Sequence, residues 1–254
     1  MCSIRTMYRV MGARGETKER RSQRPNRRYA TPHLVATCPN DVWTWDITKL
    51  ATYEPGKFLN LYLIIDLWSR YIVGWMIAER ENCELAKQLI RETVERYRME
   101  GRVLTLHNDR GSPMTATGFI DLLAELEVSA SRSRPRVSND NPYSEAINKT
   151  VKYQPDYPGR FESISHSRAW FAEFSNWYNH EHYHSGLALF RPGDLFFGQV
   201  ENLALRRQET LARAYAAHPE RFVNGPPAVK LPAARVIINP IDPGDPLDEQ
   251  QAQS

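Results

Sequence analysis

Cysteine is scarce in this chain of 254 residues, which holds only Cys2, Cys38 and Cys83. Three scattered thiols with no CxxC pair exclude a disulfide framework and a zinc ribbon, and they fit the reduced cysteines of a cytoplasmic protein. Long apolar runs are missing as well. No stretch reaches the roughly 18 apolar residues of a membrane-spanning helix, so no membrane partner is expected. The N-terminus lacks the basic, apolar, small-residue order of a signal peptide. No repeat at a fixed period is visible, which excludes a solenoid. Acidic residues run short in one place: residues 1–30 hold nine Lys/Arg against two Glu, and the rest of the chain holds 24 basic against 28 acidic residues. A basic arm on a mildly acidic body fits a polyanionic partner, because each phosphate contact releases condensed counterions.

What is present is an ordinary globular composition, 41% hydrophobic and 25% charged, enough for one large core domain with appendages. Residues 1–30 read as an uncapped basic helical element followed by an arm, and Thr31 to Asn40 as an extended linker between prolines. Val42–Thr52, Phe58–Leu67 and Tyr71–Ile77 read as three strands with short links, hence an antiparallel meander. In Cys83–Met99, Leu85, Leu89, Ile90, Val94 and Tyr97 recur at helical spacing. A fourth strand (Val103–His107), a helix (Thr115–Leu126) and a fifth strand (Val128–Ser131) follow, then a polar loop and a helix opening near Pro142. Ser163–Tyr183 reads as a long helix whose aromatic stripe, Trp170 to Tyr178, is core. Pro192 begins a shorter segment, Glu201–Ala217 is a charged helix, and the Pro-rich tail from Gly225 contains a small strand at Arg235–Ile238. The order β-β-β-α-β-α-β-α predicts an α/β fold with a mixed five-stranded sheet flanked by helices. The divisions expected are an arm (1–38), a core (39–200) and a helical, Pro-rich extension (201–254).

Three carboxylates stand out. Asp46 lies in mid-strand on a face with Thr44 and Thr48, opposite Trp43, Trp45 and Ile47. Asp109 closes the apolar run Val103–Leu106, and Glu145 follows Asn-Pro-Tyr-Ser in the first turn of a helix, where Asn141 or Ser144 would cap and Pro142 would be the first helical residue. An acid between tryptophans is costly if buried unpaired, and three that converge repel until a cation neutralises them. Oxygen-only ligands suit Mg²⁺ or Mn²⁺ and suit zinc poorly. Two such ions would activate a water or a 3′-hydroxyl at a phosphodiester. Asn148, Lys149 and Lys152 share the face of Glu145, a basic stripe fit for DNA, although Glu145–Lys149 also fits a plain surface pair. Arg134 and Arg136 in the loop, and Arg27 and Arg28 in the arm, are further candidate phosphate contacts.

WTWDITKL, IDLWSRYIVGW, LHNDRGSPMT and SRPRVSNDNPYSEA…KTVKY together resemble the catalytic core of insertion-sequence transposases. More narrowly, they are similar to the second-frame product of the insertion-sequence family numbered three, relatives of retroviral integrases. The family signature is Asp, Asp, 35 residues, Glu, then Lys or Arg seven positions on, and Asp46, Asp109, Glu145 and Lys152 match it. The later FSNWYNHEHYHSGLALFRPGDLFFG also resembles that family, so the likeness spans about residues 14–240. It implies an RNase H-like core that uses two divalent ions to cut DNA at the element's ends and drive a 3′-hydroxyl into target DNA. It further implies a homo-oligomer on DNA, an upstream-frame partner product and a place in the bacterial cytosol or nucleoid. Two departures are visible. The basic arm reads as the remnant of a fuller helix-turn-helix-like segment, and Asn148 and Val151 stand where a bulkier apolar residue and Leu are usual.

Rival readings remain at this point. A truncated transposase would persist as a non-catalytic DNA-binding or inhibitory remnant, and a simple nuclease would share the same sheet. His180-Glu181-His182-Tyr183-His184 formally matches the zinc-peptidase pattern H-E-x-x-H, but Ser185-Gly186 ends the helix at once. Asp66 and Asp140 compete as acids, with turn and loop hydrogen bonding the expected roles. His107 and Asn108, flanking Asp109, fit either a supporting or a purely structural role.

Overall fold

The computed structural model describes residues 2–16, 29–109, 111–135 and 137–240, and the chain divides into Met1–Ala30 and Thr31–Ser254. In the first unit, α1 (Ile4–Ala13) has a cap that the sequence reading did not expect. Ser3 has extended backbone and its Oγ accepts the N–H of Thr6 at 3.2 Å, meeting one of the free amides of a helix start. No α1 residue is buried.

The second unit runs β1 (Leu34–Ala36), β2 (Val42–Ala51), β3 (Phe58–Asp66), β4 (Ile72–Ala78), α2 (Cys83–Arg96), β5 (Leu104–Asn108), α3 (Ser112–Thr115), α4 (Thr117–Glu125), β6 (Val128–Arg132) and α5 (Pro142–Tyr153). It continues with α6 (Ile164–His180), α7 (Pro192–Phe196), α8 (Val200–Ala217) and β7 (Val236–Ile238). Five strands form one mixed sheet, as expected, and their order is β4-β3-β2-β5-β6. The first three are antiparallel across short turns, and β2, β5 and β6 are parallel, which requires the helical crossovers α2 and α3–α4. One expectation fails: the linker before β2 contains β1, which pairs with β7 as a separate two-stranded ribbon. The helix expected over 115–126 is α4, and the extended backbone of Ala116 separates it from the short α3 before it.

β3 is buried along its whole length after Phe58, as an apolar strand covered on both faces should be. Tyr62 and Ile64 join Trp43, Trp45, Leu89, Ile90, Phe119 and Leu122 in one core beneath α2 and α4. The alternate residues Leu61, Leu63 and Ile65 meet Ile147 and Val151 of α5 and Phe171, Phe174 and Tyr178 of α6 in a second core. The aromatic stripe of α6 is therefore packing, as expected. Each such fully buried large side chain stabilises by about 1.5–3 kcal/mol. At Gly74 β4 approaches α2 so closely that an added Cβ would stand 2.5 Å from Thr93 Oγ1. Asn179 of α6 covers the edge of β4, accepting the N–H of Ile72 at 2.8 Å and donating to its carbonyl at 3.1 Å. Among the described residues no helix is long and apolar enough to cross a membrane.

Candidate active site

β2 separates two chemistries by simple alternation. Trp43, Trp45 and Ile47 belong to the core under α2 and α4, while Thr44, Asp46 and Thr48 meet α5. A helix rises about 6 Å in four residues and a strand about 6.6 Å in two, so α5 laid along β2 keeps step with it. Ser144 Oγ donates to Thr44 Oγ1 at 3.1 Å, Asn148 Nδ2 to Asp46 Oδ2 at 2.6 Å, and Lys152 Nζ to Thr48 Oγ1 at 2.7 Å. Asn141 occupies the cap position of α5, but its Nδ2 donates to the Trp45 carbonyl at 3.2 Å instead of capping the helix.

This seam sets the third acid. Glu145 sits half-buried in the first turn of α5, after Pro142 at the helix start, where the helix N-terminus favours negative charge. Asp109 arrives by another route. β5 runs parallel to β2 with Asn108 opposite Trp45, so the next residues along, Asp109 and Asp46, fall side by side. Asp109 Oδ1 accepts the N–H of Gly111 at 2.8 Å, which fixes the strand exit.

The Asp46 carboxyl is pushed up to about 7. Burial is the main cause, followed by the charge of Asp109; the Ile47 and Asn148 N–H groups oppose the rise, and the charge of Glu145 adds to it. Asp109 and Glu145 thus both lie within electrostatic reach of Asp46, and each repels its charged form. The donor set is oxygen only and fits Mg²⁺ or Mn²⁺. As placed, no three His, Cys, Asp or Glu side chains among the described residues stand close enough to hold an ion. The carboxylates are neighbours, not a closed cage.

The candidate DNA contacts divide. Lys149 and Lys152 are exposed, and with Glu145, Asn148 and Tyr153 they line an open depression of about 320 Å³. Among the described residues Glu145 makes no ion pair, so Lys149 does not hold it. Asn148 is buried against Asp46, with its Oδ1 unpartnered; it belongs to the acid's surroundings and not to an exposed basic stripe. Arg134 binds Asp140 through Nε at 3.0 Å and Nη2 at 2.9 Å, and reaches Thr31 Oγ1 through Nη1 at 3.0 Å. Here it anchors its own loop. Arg27, Arg28 and Arg136 lie outside the described residues.

The rival acids are structural. Burial raises the Asp140 carboxyl, but hydrogen bonds from Arg134 and Asn239 outweigh it and hold the group at about 2. Asp66 accepts the N–H groups of Asn40 and Ser69, each at 2.7 Å, and closes the β3–β4 turn. His107 reaches the Asp140 carbonyl at 2.8 Å and Ser131 Oγ at 3.0 Å, with its pKa lowered by burial. His180 ends α6, and His184 accepts the N–H of Gly186 at 3.0 Å. The histidines finish a helix and a turn, not a zinc site. Thr44, Ser144 and Asn141 were missed as supporting residues. Their signal was legible in principle: polar residues every second position in a strand, and every fourth in a helix.

Residues 36–138 and 126–192 match the family described as the integrase core domain. The chain is 29% identical over 197 residues to the transposase for insertion sequence element IS904 of Lactococcus lactis, covering 74% of this chain and 77% of that protein. It is 32% identical over 148 residues to a transposase-like protein of Haemophilus influenzae, covering 58% and 67% respectively. This chain belongs to the insertion-sequence transposases. A chain of the simian T-cell lymphotropic virus intasome matches at a TM-score of 0.50 and 19% identity, over 63% of this chain and 55% of that one. That likeness gives the transposase its RNase H-like integrase fold, as expected from the sequence. Its function is DNA transposition, and its family acts as polynucleotidyl transferases.

Proposed function

We propose that Asp46, Asp109 and Glu145 are the catalytic carboxylates of this transposase and hold two Mg²⁺ or Mn²⁺ ions. The reaction is hydrolytic cutting of DNA at the element's ends, followed by transfer of a 3′-hydroxyl into target DNA. When bound, the ions would activate the attacking oxygen and stabilise the leaving one. The observation that carries this reading is the seam between β2 and α5, which brings Glu145 to a strand whose Asp46 already lies beside Asp109.

The chain's own contribution is position and charge. The parallel ends of β2 and β5 orient two acids, and α5 delivers the third. Lys149 and Lys152 line the depression beside Glu145 and take the phosphodiester backbone; Lys152 exchanges Thr48 for a phosphate oxygen. Arg27, Arg28 and Arg136 are further phosphate contacts in this reading, and Arg134 becomes one only by leaving Asp140. Residues 39–200 act as the catalytic core, 1–38 as a DNA-holding arm and 201–254 as an extension. The working form is a homo-oligomer on element ends and target, with an upstream-frame product as further partner, in the bacterial cytosol.

The test is a Mg²⁺- or Mn²⁺-dependent assay on labelled DNA carrying the element's own ends, with Glu145→Gln alongside. Cleaved or joined products that vanish with the variant or with chelator are expected. A wild-type chain that binds DNA yet yields no product would instead be a non-catalytic remnant.

A further inference from the structure

The turn between β3 and β4 places an arginine where a buried cation is expensive. Asp66, fully buried, accepts the Ser69 N–H, and the Arg70 N–H closes the turn on the Asp66 carbonyl at 2.9 Å. Arg70 itself takes a left-handed backbone, φ 64°, a conformation that a non-glycine residue adopts only where its surroundings impose it. The result turns the guanidinium inward. Its Nη1 is buried without a hydrogen-bond partner, and among the described residues Arg70 makes no ion pair with a carboxylate. What it does have is a ring. Its Cζ lies 3.7 Å from the centre of Tyr143, within the range of a desolvated cation–π contact.

Tyr143 is the second residue of α5 and stands two positions before Glu145. On one side of it Asn141 is tied to the Trp45 carbonyl, and on the other Ser144 is tied to Thr44. Both of those ties come from β2. The Arg70 stack is a third hold, from the far side of β3. Further along α5, Asn148 and Lys152 bond β2 as well, and Ile147 and Val151 pack against β3. The planar contact from the β3–β4 turn is what holds the first turn of the helix from a second side.

We propose that Arg70 is a positioning residue for the reaction: its stack on Tyr143 holds the first turn of α5 and so aims the Glu145 carboxylate at Asp46 and Asp109. The inference rests on Glu145 as a metal-holding acid. It explains why a cation that only the charge of nearby Asp66 offsets, with no ion-pair contact, is kept at this turn, since a neutral residue of similar size would spare the desolvation.

The test is Mn²⁺ titration of the metal-free 254-residue chain, with free Mn²⁺ counted by EPR and thermal unfolding recorded beside it. The variants are Arg70→Met, Tyr143→Leu, both together, Arg70→Lys, Tyr143→Phe and Glu145→Gln. Arg70→Met and Tyr143→Leu are each expected to weaken Mn²⁺ binding about five- to tenfold, and the double variant no further, because one contact is lost in all three. Tyr143→Phe, which keeps the ring face, restores wild-type affinity. Arg70→Lys keeps the charge without the planar face and loses part of the affinity, which serves if Arg70→Met does not fold. A lowered melting temperature with unchanged Mn²⁺ affinity would overturn the proposal and leave Arg70 a packing residue. Additive losses, or an Arg70→Lys chain equal to wild type, would overturn it too. If Glu145→Gln binds Mn²⁺ like wild type, the failure lies in the metal reading itself and not in the stack.

Discussion

Asp46 and Asp66 lie on neighbouring strands of one sheet, both raised above the ordinary carboxylate range, and they do opposite things. Asp66 is pushed up to about 6 by burial, against the pull of Ser69 and Asn40. Its neighbours are donors, so its charge is answered within the fold. Asp46 is pushed up to about 7, and its nearest ionisable neighbours are Asp109 and Glu145. Its charge is answered only in part, by the amides of Ile47 and Asn148. A buried acid surrounded by N–H groups is architecture; one beside other acids is, under the proposed function, a place for a cation.

Exchanging the two residues' fates by mutation should separate them. Asp46→Asn is expected to lower strand cleavage or joining by about a thousandfold or more, with a melting temperature equal to or above wild type in the absence of metal. Asp66→Ala should do the reverse in kind. It strands the amides of Asn40 and Ser69 and costs about 3–5 kcal/mol of stability, read as a lower denaturant midpoint. An Asp66→Ala chain as stable as wild type would break the comparison.

The pH dependence sharpens it. A carboxyl raised in the fold keeps its proton where the unfolded chain has already lost it. Asp46 therefore removes stability progressively as pH rises from about 4 to about 7, and the penalty is complete above that. Metal-free melting temperatures of wild type and Asp46→Asn should agree near pH 4 and separate in favour of the variant by pH 8. Saturating Mg²⁺ or Mn²⁺ should close the gap by stabilising wild type. Equal curves at all pH values would mean that the fold does not raise the Asp46 carboxyl.

The smallest effect is expected at the exposed end of the seam. Lys152→Met should change stability by no more than about 0.5 kcal/mol. It should weaken DNA binding a few-fold and reduce the salt slope of the affinity by about 1. A salt slope that stays unchanged would place Lys152 with Thr48 alone.

The sheet was legible in the sequence because its signals are local. Trp43, Trp45 and the run Phe58–Asp66 announce strands by alternation and by continuous apolarity, and Pro142 announces a helix start. The candidate acids were legible in the sequence, their setting less so. Spacing on α5 put Asn148 on the Glu145 face and suggested an exposed contact, but only the packing of α5 on β2 shows Asn148 to be buried. Arg134 read as a loose loop cation because its partner, Asp140, is held in turn by Asn239, 99 residues further on. β1 was missed for the same reason. Three residues between prolines carry no period, and among the described residues they pair with a strand that begins 200 residues after Ala36.

That distant pairing has a consequence for how the molecule is made. Leu34 pairs with Ile238, His33 reaches the Asn239 carbonyl at 2.8 Å, and Asn239 Nδ2 donates to Pro32 and Asp140, each at 2.9 Å. During synthesis β2 to β6 can assemble from consecutive chain, whereas β1 must wait for β7, about 200 residues later, to leave the ribosome. The loop behind Asp140, which His107 joins to the strand leading to Asp109, is tied down in that same late step. The nascent chain thus has its sheet before that loop is settled, so under the proposed function a transposase still being translated would be folded yet unready for its chemistry.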